Sequence, residues 1–232
     1  MSKTIIALGG GGFSMELSPL LDDFILAAAG KPDPRVLLVP TAGGDAADYI
    51  TRFYRTVGRR ARGTHVELFR RIEPDLRAFV LQHDIVYVGG GNTANMLAVW
   101  RVHGFDAVLR EAYEAGIVCA GISAGAVCWF EGAVTDSLHP ELRPLHDGLG
   151  LLRGTMVPHY DGDAQRRPTL HRLIADGTFS SAWAADDGAA LVFRDGAFVE
   201  AVANHASKSG WRIERGADGT ALETRVPPRV LT

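Results

Sequence analysis

The sequence predicts an α/β protein with a doubly wound, mostly parallel sheet, helices on both of its faces, and antiparallel strands near the C-terminus. Two observations support this prediction. Short runs rich in Val, Ile and Leu alternate with amphipathic stretches, and most of these runs stop at Gly or Pro. Such runs are typical of strands that helices cover on both faces. The length of 232 residues favours a single domain over 1–232.

The first half of the chain supplies the parallel strands and their covering helices. The runs predicted as buried strands are residues 4–8, 36–39, 65–68, 85–88 and 117–120. The stretches predicted as helices are residues 16–29, 46–60, 74–82, 93–102 and 106–115. In the third helix, Leu76, Phe79 and Val80 recur at the spacing of one buried face, and Pro74 suits a first turn.

The pattern weakens beyond residue 132. Residues 135–148 contain two Pro and two His and are predicted to form a surface loop, followed by a helix at 164–175. Strands are predicted at 189–193, 197–202 and 211–214. The tripeptide at 194–196, Arg-Asp-Gly, is typical of a hairpin turn, so the strands on either side of it should be antiparallel.

Charge and composition exclude several classes of function. The formal net charge of −3 offers no basic surface for nucleic acid or for an anionic membrane. No apolar run has the length of a membrane span or of a signal-peptide core. Cys119 and Cys128 are too few for a disulfide framework or a four-ligand zinc site. Their apolar neighbours suit reduced thiols, so we expect a cytoplasmic protein.

The strongest chemical signal is the pattern Gly-x-Ser-x-Gly at 121–125. It follows the predicted strand 117–120 directly and precedes residues 126–130, which can continue as a helix. A sharp turn at such a junction lifts the hydroxyl of Ser123 above the sheet edge. The N–H of Ala124 would then point at the oxygen of a carbonyl under attack. The alternative is a tight turn in which Ser123 only caps a helix.

Two further glycine-rich turns follow predicted strands. Gly-Gly-Gly-Asn-Thr at 89–93 would lie at the same sheet edge as Ser123, and its glycines permit close backbone approach to a ligand. The N–H of Gly91 would then complete an oxyanion pocket with Ala124, although a simple loop is equally compatible with the residues. The glycine run at 9–12 lacks the spacing of a dinucleotide or phosphate loop, so we do not expect nucleotide binding.

A serine nucleophile needs a base to remove its proton, and the chain has eight histidines. From the residues alone, His159 is only slightly favoured over His146 and His205. It follows a short apolar run and Pro158 and precedes a turn at Gly162, so its imidazole is well placed to be held rigidly.

A third residue, an acid, must orient the imidazole and stabilise its cation. Asp186 and Asp187 stand together at the end of an apolar run, and Asp136 is another candidate. Spacing along the chain does not choose among the three acids.

At these residues the chain resembles the peptidase E family of serine peptidases, the aspartyl dipeptidases, whose more distant relatives include the cyanophycinases. The matching segments, in the family's order, are residues 88–93, 121–126, 158–160 and 187–188. The resemblance implies a fold like that of the class I glutamine amidotransferases. It also implies the following roles: nucleophile Ser123, base His159, acid Asp187 with Asp136 as the alternative, and oxyanion-hole N–H groups from Gly91 and Ala124. Asp187 stands where the family often has Glu.

The same resemblance implies hydrolysis of short peptides, with Asp-X dipeptides as the first candidates. Arg166 approximately matches the basic residue that grips the substrate's Asp side chain, and Asn92 belongs to the matching turn, so we expect both to bind substrate. A metal site through His159, Asp161 and Asp163 is less favoured, because acidic loops are usually solvated. We therefore expect no cofactor, and a small peptide as the partner of a monomer or homodimer.

The residues leave two other functions open. An esterase or amidase of the α/β-hydrolase type would use the order Ser123, Asp187, His205. A ligand-binding protein on the same scaffold would hold an anion at the serine turn without reacting.

Overall fold

The computed structural model describes residues 2–15 and 18–232, which form two β-sheets with flanking helices. The strands are β1 (Thr4–Leu8), β2 (Arg35–Val39), β3 (Arg62–His65), β4 (Ile85–Val88), β5 (Val118–Ile122), β6 (Phe130–Thr135), β7 (Arg143–Leu145), β8 (Leu152–Val157), β9 (Ser181–Ala185), β10 (Ala189–Arg194), β11 (Ala197–Ala203), β12 (Gly210–Arg215), β13 (Ala221–Val226) and β14 (Pro228–Val230). The helices are α1 (Gly12–Met15), α2 (Leu20–Ala28), α3 (Ala47–Thr56), α4 (Leu76–Leu81), α5 (Thr93–His103), α6 (Phe105–Glu114), α7 (Ala124–Val127) and α8 (Arg166–Ala175).

The first sheet has eight strands in the order β14-β11-β10-β1-β5-β4-β2-β3. The strands from β1 to β3 in this order are parallel, as the sequence predicts. Strands β10 and β11 form the predicted antiparallel hairpin, and β10 lies antiparallel to β1. Because parallel strands end at one edge of a sheet, the loops after β1, β4 and β5 come together there.

Helices cover both faces of the first sheet, which confirms the predicted fold class. Side chains alternate across a strand, so Ile5 of β1 faces one core and Ile6 faces the other. The core on the Ile5 side includes Trp100 of α5 and residues of α4 and α6. The core on the Ile6 side includes Ile25 of α2 and Phe53 of α3.

The second sheet, which the sequence does not predict, has six strands in the order β13-β12-β9-β8-β6-β7. Strand β8 lies parallel to β6 and to β9. Helix α8 packs on this sheet through Leu170 and Ile174, which share a core with Val157 and Ala184. The chain passes from β9 of this sheet directly into β10 of the first, so the two sheets are joined beside the end of β1.

Two predicted elements are shifted relative to the structure. The strand expected at 65–68 is β3, which ends at His65. Val66 and Leu68 are buried beyond the end of this strand, where the N–H of Leu68 donates to Oδ2 of Asp45 at 2.6 Å. The apolar run therefore marks a buried loop. In the helix expected at 16–29, Glu16 and Leu17 lie outside the described residues, and α2 begins only at Leu20.

The region after Ser123 also departs from the prediction. The helix expected to continue through 126–130 ends at Val127, and β6 begins at Phe130. The loop predicted at 135–148 contains the short strand β7. Both errors have one cause, because pairing of β6 with β7 and β8 overrides the local pattern.

The structure also describes the two cysteines, the potential metal ligands and the length of the helices. Cys119 and Cys128 are free and buried, and burial raises the pKa of the Cys119 thiol to about 12. Over residues 2–15 and 18–232, no group of three or more His, Cys, Asp or Glu side chains could hold a metal ion. No helix in the same part of the chain is long and apolar enough to span a membrane.

Candidate active site

Ser123 occupies a strained corner between β5 and α7. Its φ of 55° and ψ of −114° are rare for a residue with a side chain, and such strain is typical of a nucleophile held at a sharp turn. The flanking glycines make the corner possible. A Cβ on Gly121 would lie 2.1 Å from the carbonyl oxygen of Gly125, and one on Gly125 would lie 2.2 Å from that of Val88.

The hydroxyl of Ser123 is half-buried and free. In the part of the chain that the structure describes, no hydrogen bond engages its Oγ, including any from a histidine. The 89–93 turn lies directly beside it, because a Cβ on Gly90 would be 3.4 Å from Cβ of Ser123 and 4.0 Å from Oγ. The hydroxyl and this turn therefore line one depression at the carboxyl edge of the sheet.

The N–H groups of the 89–93 turn can be accounted for one by one. Gly89 donates to the carbonyl of Val39 at 3.0 Å, and Asn92 donates to that of Ala42 at 2.8 Å. Gly90 donates to the hydroxyl of Tyr49 at 3.1 Å, and Thr93 donates to Oγ of Ser137 at 2.9 Å. Gly91 is the exception: no described group accepts from its N–H. Its φ of +139° requires glycine, since a Cβ would lie 2.1 Å from the Ala42 carbonyl oxygen.

The start of α7 offers a similar donor. Ser123 donates its N–H to Leu8, and its carbonyl accepts from Ala126 at 2.9 Å and Val127 at 3.0 Å. The N–H of Ala124 has no acceptor among the described residues. Free N–H groups at a helix start carry partial positive charge and suit an anion.

His159 and Asp187 form a hydrogen-bonded pair at the same sheet edge. Nδ1 of His159 lies 2.6 Å from Oδ1 of Asp187. Since an ionised carboxylate only accepts, Nδ1 donates and Nε2 is left to take a proton. His159 has a φ of 52°, and its N–H donates to the carbonyl of Gly9 at 3.2 Å, which fixes it over the end of β1.

Charges around the pair favour an ionised Asp187. The hydrogen bond from His159 holds the pKa of Asp187 below its ordinary value, against the effect of burial, and the nearby charges of Lys208 and Arg166 act in the same direction. Asp161 adds a structural link. Its Oδ1 accepts from the N–H of Asp187 at 2.8 Å, and its Oδ2 accepts from the ammonium of Lys208.

Gly10 is a site residue that the sequence reasoning missed. A Cβ on Gly10 would lie 1.9 Å from Oδ1 of Asp187 and 3.0 Å from Nδ1 of His159. The pair can therefore form only because this position has no side chain. The available signal was a glycine run that follows a central strand without a nucleotide-loop spacing, which indicates close approach by another part of the protein.

The other candidate acids and bases lie elsewhere. Asp186 is buried and accepts from the N–H of Ser209 and the indole of Trp211 at 2.9 Å each, and burial raises its pKa. Asp136 is exposed, and its carboxylate makes no hydrogen bond to any of the described residues. His205 is exposed and bonds to Ser207 at 2.8 Å, and the His146 ring packs at a tilt of 48° against Phe179. Neither histidine contacts Asp187.

The two residues expected to bind substrate have contacts of their own. Oδ1 of Asn92 caps α5 by accepting from Asn95 at 2.9 Å, and its Nδ2 donates to the carbonyl of Ser137 at 2.8 Å. One amide hydrogen of Asn92 is left for a ligand. Arg166 is buried, with an exposed fraction of 9%. Its Nε has no hydrogen-bond partner among the described residues, although Oδ2 of Asp163 lies 3.3 Å away.

A serine corner, two free N–H groups and an imidazole–carboxylate pair at one edge of a doubly wound sheet define a candidate hydrolase of the α/β class. Comparison with known proteins gives the particular family. Residues 5–201 match peptidase family S51, so the chain belongs to that family and is a peptidase. The chain is 47% identical over 231 residues to the uncharacterized peptidase YgaJ of Bacillus subtilis (strain 168), covering 99% of both chains.

Solved structures agree on the fold. A peptidase from an acI-B1 Actinobacterium superposes with a TM-score of 0.72 at 17% identity, over 98% of this chain and 95% of that one. A protein from Listeria monocytogenes EGD-e assigned to peptidase E gives a TM-score of 0.65 at 19% identity, over 86% of this chain and 98% of that one. These likenesses confirm the mixed α/β fold with two sheets.

Proposed function

We propose that this peptidase is a serine peptidase that hydrolyses short peptides, with Asp-X dipeptides as the first candidate substrates, through Ser123, His159 and Asp187. One observation carries the proposal: the His159–Asp187 pair and the free hydroxyl of Ser123 are anchored to the same strand end. A triad needs an oriented imidazole beside an accessible alcohol. Asp187 is preferred to Asp136 as the acid because it bonds to His159 at 2.6 Å.

The mechanism is acyl transfer to water. His159 takes the proton of Ser123 at Nε2 as Oγ attacks the peptide carbonyl, and Asp187 stabilises the resulting imidazolium. His159 then protonates the departing amine, which leaves as the C–N bond breaks. A water molecule, deprotonated by His159, attacks the acyl-enzyme and releases the acid product and free Ser123. None of these steps calls for a metal or an organic cofactor.

The oxyanion hole in this proposal consists of the N–H groups of Gly91 and Ala124. Two facts support it: both groups lack an acceptor in the described residues, and both turns flank Ser123. Donors that are already fixed before the reaction stabilise the tetrahedral intermediate without reorganising. Removing one such donor typically lowers kcat by about a hundred- to a thousandfold.

Recognition of an acidic side chain is proposed for Arg166. Its guanidinium is mostly buried, with Nη1 donating to the carbonyl of Val134 at 3.3 Å and Oδ2 of Asp163 lying 3.3 Å from Nε. The remaining N–H groups suit a substrate carboxylate. Asn92 would contribute its remaining amide hydrogen. The small peptide substrate, the cytoplasmic location and a monomeric or homodimeric state are part of the same proposal, the location being supported by two buried, reduced cysteines.

Hydrolysis of a panel of dipeptides, varied at the N-terminal residue, tests the proposal. The wild type should release free amino acids, fastest from Asp-X, and Ser123→Ala should lose at least a thousandfold in kcat. Ser207→Ala, which changes an exposed loop serine, is the matched control and should match the wild type. Full activity in Ser123→Ala would rule out the serine mechanism. Equal rates for Asp-X and Ala-X would rule out the substrate class and leave the mechanism standing.

A further inference from the structure

Tyr49 of α3 contacts the 89–93 turn without belonging to the proposed triad or oxyanion hole. Its hydroxyl accepts the N–H of Gly90 at 3.1 Å. Its ring lies so close to Gly89 that a Cβ there would be 2.7 Å from Cε1 of Tyr49. The ring is held in turn by an edge-on contact with Phe13, with centroids 5.1 Å apart. The turn is therefore built against the whole Tyr49 side chain.

This contact restrains an otherwise flexible segment. Three consecutive glycines have more backbone freedom than any other tripeptide, and a free turn would sample many orientations of its N–H groups. The carbonyls of Val39 and Ala42 fix the two ends of the turn. Among the described residues, the Tyr49 hydroxyl alone holds the peptide between Gly89 and Gly90. The next peptide along the chain carries the Gly91 N–H.

The hydrogen bond from Gly90 to Tyr49 also determines which N–H group of the turn is directed at Ser123. Gly90 lies against the serine, since a Cβ on Gly90 would be 3.4 Å from Cβ of Ser123. If the Gly90 N–H were released, the neighbouring peptide would be free to rotate, and a carbonyl oxygen in place of the Gly91 N–H would repel the developing oxyanion. Burial raises the pKa of the Tyr49 phenol, so the hydroxyl keeps its proton at working pH and its oxygen accepts as a neutral group.

We propose that Tyr49 is a positioning residue for catalysis: its hydroxyl holds the Gly90 N–H so that the turn presents the Gly91 N–H to the oxyanion. This inference rests on the proposed serine mechanism. Tyr49 touches neither substrate nor reacting atoms in this account, and it acts through the turn alone.

The first test compares Tyr49→Phe with Tyr54→Phe. Both variants lose one hydrogen-bonded hydroxyl from α3, because the Tyr54 hydroxyl bonds to Nδ1 of His65 at 2.7 Å, and both keep the ring. The probe is a fluorophosphonate, whose phosphoryl oxygen occupies the oxyanion position when it labels a serine. Tyr49→Phe should be labelled about tenfold more slowly at a temperature where near-ultraviolet circular dichroism shows it folded. Tyr54→Phe should be labelled at the wild-type rate.

The outcomes separate the inference from the mechanism on which it rests. Wild-type labelling of Tyr49→Phe, or equal slowing in Tyr54→Phe, would overturn the role of Tyr49 while the serine mechanism stands. If the wild type itself is not labelled, the mechanism fails first.

If Tyr49→Phe does not fold, a measurement on the wild type tests the role of Tyr49 instead. In amide nuclear magnetic resonance spectra, labelling by the fluorophosphonate should move the Gly91 proton downfield and leave the Gly90 proton in place, because the Gly90 proton is already bonded to Tyr49. A Gly90 proton that moves downfield with the label, or that exchanges freely before labelling, would overturn the inference.

Discussion

The N–H groups of Ser123 and His159 donate to consecutive carbonyls at the end of β1, those of Leu8 and Gly9, at 3.2 Å each. The two residues come from different sheets, since Ser123 follows β5 of the first and His159 follows β8 of the second. One strand end thus sets the distance between the proposed nucleophile and base. The described residues show no direct hydrogen bond between the Ser123 hydroxyl and the His159 imidazole, as is common in enzymes without substrate.

Replacement of Gly10 by Ala should separate His159 from Asp187. The new Cβ would lie 1.9 Å from Oδ1 of Asp187, so the pair must move apart. We expect kcat to fall about a hundredfold or more, because a small misplacement of catalytic groups has large kinetic consequences. Gly43→Ala is the control, since its Cβ would meet nothing closer than 3.6 Å. Equal activity of Gly10→Ala and wild type would mean that the pair does not serve catalysis.

The choice of acid can be tested by comparing Asp187→Asn with Asp136→Asn. Asparagine at 187 keeps the shape but stabilises the wrong imidazole tautomer, and we expect kcat to fall by about four orders of magnitude. Asp136→Asn should retain activity within about a factor of three, because its exposed carboxylate makes no contact with His159. Steady-state kinetics on a cleaved dipeptide measures both. The reverse ranking would assign the acid to Asp136.

Lys208 and Asp161 should shift the pH dependence in opposite directions. The acid limb of kcat/KM reports the ionisation of the His159–Asp187 pair, whose basic form carries one negative charge, and nearby positive charge favours that form. The charge of Lys208 is among those that hold the pKa of Asp187 below its ordinary value, so Lys208→Met should move this limb up. Asp161→Asn keeps an acceptor for the N–H of Asp187 and removes a negative charge beside Lys208, so it should move the limb down.

The double variant is the control for these charge effects. Lys208→Met combined with Asp161→Asn restores the net charge, so its acid limb should return to within about 0.2 pH unit of the wild type. Arg166, whose charge also lowers the pKa of Asp187, is unchanged in all three variants. Limbs that move in the same direction in both single variants would show distortion of the site rather than an electrostatic effect.

Asp22 should make stability decrease with rising pH. Burial raises its pKa to about 6, and the hydrogen bond from Tyr87 at 3.0 Å only partly offsets this. Because the folded state binds this proton more tightly than the unfolded state, the free energy of unfolding falls between about pH 4 and pH 6. Relative to the wild type, Asp22→Asn should gain up to about 3 kcal/mol over this interval.

Urea unfolding at several pH values measures this difference. Asp23→Asn is the matched control, because Asp23 is exposed and pairs with the same Arg60 that lies 3.7 Å from Asp22. Because Asp23 is exposed, its difference from the wild type should change with pH less than that of Asp22→Asn. A flat difference for Asp22→Asn would show that its carboxyl has an ordinary pKa in the folded protein.

The local sequence pattern was sufficient for two central strands of the first sheet. The strands at 4–8 and 85–88 were predicted with their observed bounds because each is an apolar run that stops at glycine. The second sheet as a whole was not predicted, although its strand β12 (Gly210–Arg215) matches the strand expected at 211–214. Its strands include Glu131 and Gly132 in β6 and four small residues in β9, so pairing with distant strands determines them and local preference does not.

The sequence pattern also located one residue of the candidate active site and left its partners open. The Gly-x-Ser-x-Gly pattern locates Ser123 from five consecutive residues, since the turn requires small neighbours. The partners of Ser123 could not be chosen from spacing, because the passage of the chain from β9 to β10 beside β1 is a property of the tertiary fold. The resemblance to peptidase E indicated His159 and Asp187, and their catalytic roles stay a prediction.

The central claim is that Ser123 is a nucleophile activated by His159. Mass spectrometry after treatment with a fluorophosphonate tests it most directly. We predict one adduct, mapped to the peptide containing Ser123, absent in Ser123→Ala and formed at least a hundredfold more slowly in His159→Ala. An active preparation of the wild type that remains unlabelled, or that carries the adduct on a different residue, would contradict the account.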